Sequence, residues 1–129
     1  MTLAYLDTSA AMKLVLDESE SAILTQTLSA DPGRRLVASW LLHTEMHCAA
    51  GRHPEEISLD AIRGVLDATN LIDLTRGDMI AAGVLAPLRS NDAIHLAVAI
   101  RLGVDEIVTY DSELAGAATR AGLNVLAPA

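Results

Sequence analysis

At 129 residues the chain is long enough to bury a core and short enough to be read as one domain, 1–129. Its 17 acidic residues against 9 basic ones give a net charge of -8, the wrong sign for a module that holds nucleic acid by phosphate neutralisation alone. Hydrophobic residues make up 51%, yet no apolar run approaches the ~20 residues that span a bilayer, and the single Cys48 excludes an internal disulfide.

Leu3-Ala4-Tyr5-Leu6 is an apolar strand that runs into Asp7-Thr8-Ser9 and then into a helix over 9–16. Asp7 thereby stands at a strand's C-terminal end, the edge where open parallel sheets bind ligands, although Asp and Ser also suit a plain capping turn. The chain opens without a basic segment and apolar leader, so a cytoplasmic location is expected. Asp17-Glu18-Ser19-Glu20 reads as the solvated start of a second helix, ended by Asp31-Pro32-Gly33.

A second strand, Arg35 to Ala38, leads through Ser39 as N-cap into a helix ending near Gly51. On that helix Glu45 shares the stripe of Leu41, Leu42, Cys48 and Ala49, where an unpaired carboxylate is costly and a cation is its natural partner. Cys48 reads as a small buried hydrophobe. His43 and His47 have zinc-compatible spacing, but Glu45 lies toward the opposite face, so surface histidines are the better reading.

Pro54 to Thr69 is an amphipathic helix, Leu71 to Leu74 a third strand with Asp73 inside it, and Thr75 to Leu88 a helix carrying Ile80, Val84 and Leu88. Ser90 to Ile100 forms a very apolar helix with Asp92 in its first turn, where helix-dipole stabilisation competes with a functional role. His95 reads as an interior or edge histidine. Glu106 to Tyr110 is a fourth strand followed by Asp111 as the first is followed by Asp7, then a helix from Ser112, and Asn124 to Leu126 is the last strand. Strands alternating with helices imply a parallel sheet with right-handed crossovers.

Four acids so placed, Asp7, Glu45, Asp92 and Asp111, suit a divalent cation such as Mg²⁺ or Mn²⁺, which prefers oxygen ligands and bridges phosphates. A phosphoacceptor signalling domain also groups acids at strand ends but needs a Lys after the last strand, and the only Lys is Lys13. A haloacid-dehalogenase-type phosphatase needs a second Asp where Ser9 stands.

From Leu3 to about Leu126 the chain resembles the PIN-domain ribonucleases, in particular the VapC toxins of bacterial toxin–antitoxin pairs. The resemblance rests on Leu6-Asp7-Thr8-Ser9, on Ser39 to Glu45 with Ala49 and Arg52, on Asn91-Asp92-Ala93-Ile94-His95-Leu96-Ala97, and on Val108-Thr109-Tyr110-Asp111-Ser112-Glu113-Leu114. It implies a three-layer α/β fold with a five-stranded parallel sheet of order 3-2-1-4-5, and an acidic quartet of Asp7, Glu45, Asp92 and Asp111 that binds Mg²⁺ or Mn²⁺ for endonucleolytic RNA cleavage. Thr8, Ser9 and Thr109 become supporting hydroxyls, and Glu113 stands where relatives often carry a further Asp. It also implies an antitoxin partner, received in a groove around Met12, Leu16 and Leu24. The alternative within the family is an inactive interaction module. Composition adds a homodimer, because this much apolar surface exceeds what a core of this size covers.

Overall fold

β1 (Thr2–Leu6) is the middle strand of the sheet in a computed structural model that describes residues 1–129. A central parallel strand is covered on both faces, which is why Ala4, Tyr5 and Leu6 are an unbroken apolar run with no exposure at all. It pairs on one side with β2 (Arg34–Ser39) and on the other with β4 (Glu106–Val108), and β3 (Asn70–Ile72) and β5 (Asn124–Leu126) complete an all-parallel sheet of order 3-2-1-4-5. The expected strand order is the observed one. Leu6 lies opposite Val108, and the Asp7 N–H donates to the Val108 carbonyl at 3.1 Å, so Asp7 and Thr109 leave the sheet together at one edge.

The helices form two further layers. Helix α1 (Thr8–Val15) packs against α2 (Ser21–Ala30), α3 (Trp40–Arg52) and α4 (Leu59–Asp67), while α6 (Ser90–Leu102) packs against α5 (Arg76–Ala82) and α7 (Ser112–Arg120). Between them lies a core of 21 buried apolar residues that includes Tyr5, Leu24, Leu42, Met46, Ile62, Leu96, Ile107 and Leu114. Gly103 closes α6 with φ 64°, a left-handed conformation that a Cβ would strain.

Several boundaries differ from the expected ones, each for a local reason. The 54–69 helix begins only at Leu59, where the Ser58 hydroxyl accepts the Ala61 N–H at 3.3 Å; Pro54 to Ile57 form a turn instead. The 75–88 helix is only α5, because a Thr75–Asp78 capping box sets its start and Gly83 its end. Its Ile80 and Val84 are 67% and 80% exposed, so their helical spacing did not report a buried face. Asp73 lies beyond β3, not inside it, and is exposed. The acidic run 17–20 precedes α2, with Lys13 paired to Glu20 at 3.0 Å and to Glu18 at 3.6 Å. Cys48 is exposed, not buried. Leu24 is fully buried, so it cannot line a groove; the surface between α1 and α2 is built from Lys13, Leu16, Ser21 and Thr25 among others. No helix is long and apolar enough to cross a membrane.

Candidate acidic site at the carboxyl ends of the strands

The strand order reverses between β1 and β4, and a crevice forms where neighbouring crossovers depart to opposite faces of the sheet. Asp7 caps α1 there and is 2% exposed. Its Oδ2 accepts from the Ser9 hydroxyl at 2.6 Å, the Ser9 N–H at 3.2 Å and the Thr109 hydroxyl at 2.8 Å. Oδ1 accepts none of these bonds, and since no side-chain polar atom is buried without a partner, it is open to solvent. Ser9 and Thr109 tie the two strands' exits together: the Ser9 Oγ accepts the Tyr110 N–H at 2.9 Å, and the Thr109 Oγ1 accepts the Asp111 N–H at 3.1 Å. Asp111 caps α7 through Oδ1, which accepts the Leu114 N–H at 2.8 Å. The sequence echo between Asp7 and Asp111 is thus a structural one, two N-caps on adjacent strands, and the capping and functional readings of Asp7 are compatible.

Glu45 reaches the same region from α3. Its Oε1 accepts from the Thr8 hydroxyl at 2.7 Å and lies 2.6 Å from the His95 Nε2, while its Oε2 accepts from the Asn91 amide at 3.3 Å. Burial pushes its carboxyl up, but the hydrogen bond and charge of His95, with the Thr8 and Asn91 hydrogen bonds, outweigh it and hold the group below the usual range. Glu45 is therefore ionised at neutral pH.

Asp92 differs from its neighbours. No group of the chain donates a hydrogen bond to it, and its carboxyl is pushed up to about 6 by burial first, then by the charges of Asp111 and Asp7, with a smaller push from Glu45. A carboxylate that feels three other carboxylates shows that the four acids share one electrostatic neighbourhood. Asp7, Glu45 and Asp111 thus all act electrostatically on Asp92. As the side chains stand, no three His, Cys, Asp or Glu groups converge closely enough to ligate one ion. In its chemistry, the oxygen-only set of Asp7, Glu45, Asp92 and Asp111 matches hard divalent ions such as Mg²⁺ or Mn²⁺.

Thr8, Ser9 and Thr109 are the hydroxyls that hold the acids, in contact with Glu45, Asp7 and Asp7 respectively. Glu113 is exposed in the first turn of α7 and lines a groove with Leu88, Leu96 and Arg120, outside these hydrogen bonds. Asp73 sits past the edge strand β3, where only its carbonyl is used, accepting from Arg101 at 3.1 Å. His43 and His47 stack on each other on the outer side of α3, ring centres 4.3 Å apart, and do not join the acids. Sequence reasoning passed over His95, Tyr5 and Asn91. The Asn91 signal was its place beside Asp92 in a first helical turn; nothing local marks Tyr5, whose partners come from two other elements.

A family model described as PIN domain matches residues 4–119. The chain is 39% identical over 132 residues to Ribonuclease VapC46 of Mycobacterium tuberculosis, covering 99% of each, and 37% identical over 130 residues to Ribonuclease VapC35 of the same organism, covering 96% of each. Among solved structures it resembles a toxin–antitoxin complex from Klebsiella pneumoniae, with a TM-score of 0.69, 24% identity and 98% of both chains covered.

Proposed function

The chain belongs to the PIN-domain family, and from that membership we propose that it is a VapC-type endoribonuclease, the toxin of a type II toxin–antitoxin pair, working in the cytoplasm as a single domain over 1–129. The observation that carries the reading is Asp92 at the sheet's switch point: an acid without a donor, its carboxyl raised first by burial and then by its carboxylate neighbours, has no partner in the chain and suits a cation instead. Near full-length identity of 39% and 37% to proteins named ribonucleases supports the chemistry.

In this reading Asp7, Asp92, Asp111 and Glu45 would hold Mg²⁺ or Mn²⁺. Such a cation, when bound, supplies positive charge toward the scissile phosphate and acidifies water for attack. The rest falls to the chain's own groups. Ser9 and Thr109 take up Asp7 Oδ2 and so leave Oδ1 aimed outward. Thr8 and Asn91 fix the two oxygens of Glu45. With a net charge of -8 and four acids in the crevice, the bare protein repels RNA, so substrate binding waits on the cation. A role for Glu113 in holding a second cation has no contact to support it.

The partners proposed are RNA as substrate, an antitoxin, and a second copy of the chain. The exposed apolar side chains of Leu59, Met79, Ile80 and Val84 support self-association. The test is incubation of the purified protein with total RNA and Mg²⁺ or Mn²⁺, followed by mapping of the cut ends. Discrete internal cuts that stop on chelation are expected; undiminished cleavage after exhaustive chelation contradicts the cation assignment, and no cleavage under any condition favours the inactive interaction module.

A further inference from the structure

His95 is fully buried, yet both of its ring nitrogens are used at short distance. Nδ1 lies 2.6 Å from the Tyr5 hydroxyl and Nε2 lies 2.6 Å from Glu45 Oε1. Tyr5 is itself locked: its hydroxyl accepts the Ser39 N–H at 3.1 Å and lies 3.2 Å from the Ser39 Oγ, and its ring meets the imidazole edge-on, centres 5.5 Å apart and planes at 68°. Ser39 stands at the N-cap of α3 but makes no side-chain cap bond, so its hydroxyl serves Tyr5 instead of the helix. Residues from β1, α1 and α3 thus meet the imidazole of α6, with β2 behind Tyr5.

Resting on the site reading above, the geometry points to His95 as a positioning residue that Tyr5 grips through one nitrogen and that holds Glu45 through the other, fixing the direction of that carboxylate in the crevice. An ionised carboxylate only accepts hydrogen bonds, so Nε2 must present its N–H to Glu45 whatever Nδ1 carries. Glu45 is long and 22% exposed, and of its three partners, Thr8, Asn91 and His95, only His95 is itself fully buried and gripped from behind, so it gives the carboxylate its most rigid anchor. A leucine would fill the core position without the desolvation penalty of a buried imidazole. Thr8 closes the arrangement, with its hydroxyl 2.7 Å from Glu45 Oε1 and 3.1 Å from the same Nε2.

The test joins a double-mutant cycle to a spectroscopic readout. His95→Gln is expected to lower kcat by roughly 10- to 100-fold with KM nearly unchanged, the range for groups that orient a site's ligands, and Tyr5→Phe to lower it by about 5-fold through loss of the grip on His95 Nδ1. In a Glu45→Gln background His95→Gln should add no further loss, since it acts only through Glu45. Independent of activity, the wild-type protein should show a downfield imidazole Nε2–H proton resonance that moves upfield in Glu45→Gln. Multiplicative losses in the cycle, or a resonance indifferent to Glu45→Gln, would overturn the assignment even where His95→Gln itself folds poorly. A protein that cuts no RNA but shows the Glu45-dependent resonance would instead overturn the site reading and leave the His95–Glu45 link standing.

Discussion

Helix α6 carries one charged group at each end, and the acids they involve are opposites. At its C-terminal end Arg101 donates to both oxygens of Asp78, at 2.7 and 2.9 Å, and Asp78 also accepts the Thr75 N–H at 2.9 Å. Asp78 is 2% exposed and fully satisfied, and Arg101 with the Thr75 hydrogen bonds holds its carboxyl below the usual range. At the N-terminal end Asp92 has no donor, and burial with the Asp111 and Asp7 charges raises its carboxyl to about 6. One acid fastens α5 to α6; the other is kept in a state the fold alone would not select. What separates the two acids is their partners: Asp78 is met by Arg101 and Thr75, whereas Asp92 meets only other carboxylates and no donor.

The comparison breaks most visibly in activity. Asp92→Asn is expected to lower RNA cleavage by at least about 100-fold, beyond the range typical of groups that merely orient ligands, while Asp78→Ala leaves cleavage within about 2-fold. Multiple-turnover rates on one RNA measure both, and an active Asp92→Asn protein sinks the contrast. Next in size is the response to Mn²⁺ or Mg²⁺: at 100 times Kd a cation stabilises the folded chain by about 2.7 kcal/mol, seen as a rise in Tm that EDTA reverses and that Asp7→Asn loses. Asp78→Ala, by contrast, should lower Tm by about 7 °C in cation-free and cation-loaded protein alike, because it removes both Arg101 hydrogen bonds and the Thr75 N–H bond, about 2 kcal/mol together.

The smallest effect concerns pH. Asp92 titrates near 6 in the folded chain against an ordinary 3.8, so its stability contribution is complete below about pH 3.8 and is lost as pH rises through 6. Asp78 has the opposite sign: its contribution is present above 3.8 and is lost as pH falls below that. Cation-free wild-type protein should therefore melt higher at pH 5 than at pH 7, and Asp92→Asn should flatten that slope. A slope unchanged by the substitution would show that Asp92 is not the acid responsible.

The central strands were legible because a parallel strand buried on both faces leaves an unbroken apolar run, as in Leu3 to Leu6, and because Asp7 and Asp111 follow their strands in the same way. The edge was not. Ile80, Val84 and Leu88 repeat at helical spacing, yet Gly83 ends α5 and the first two side chains point to solvent, a face that periodicity cannot distinguish from one packed on a core. The acids were findable because a carboxylate on an apolar stripe is locally anomalous, as Glu45 is. His95 was set aside for the opposite reason: a lone imidazole in an apolar helix fits an ordinary interior position, and only the fold brings Tyr5 and Glu45 to its two nitrogens. The groove that the family resemblance placed around Met12, Leu16 and Leu24 loses Leu24, because the packing of α1 on α2 buries that side chain completely.

If Asp92 and its neighbours form the proposed cation site, Asp92 and Asp78 must differ in what they bind. Calorimetric titration of Mn²⁺ into the metal-free protein tests it without requiring any knowledge of the RNA. Saturable binding is expected in the wild type, retained in Asp78→Ala and lost in Asp92→Asn; equal binding by wild type and Asp92→Asn would place the cation elsewhere.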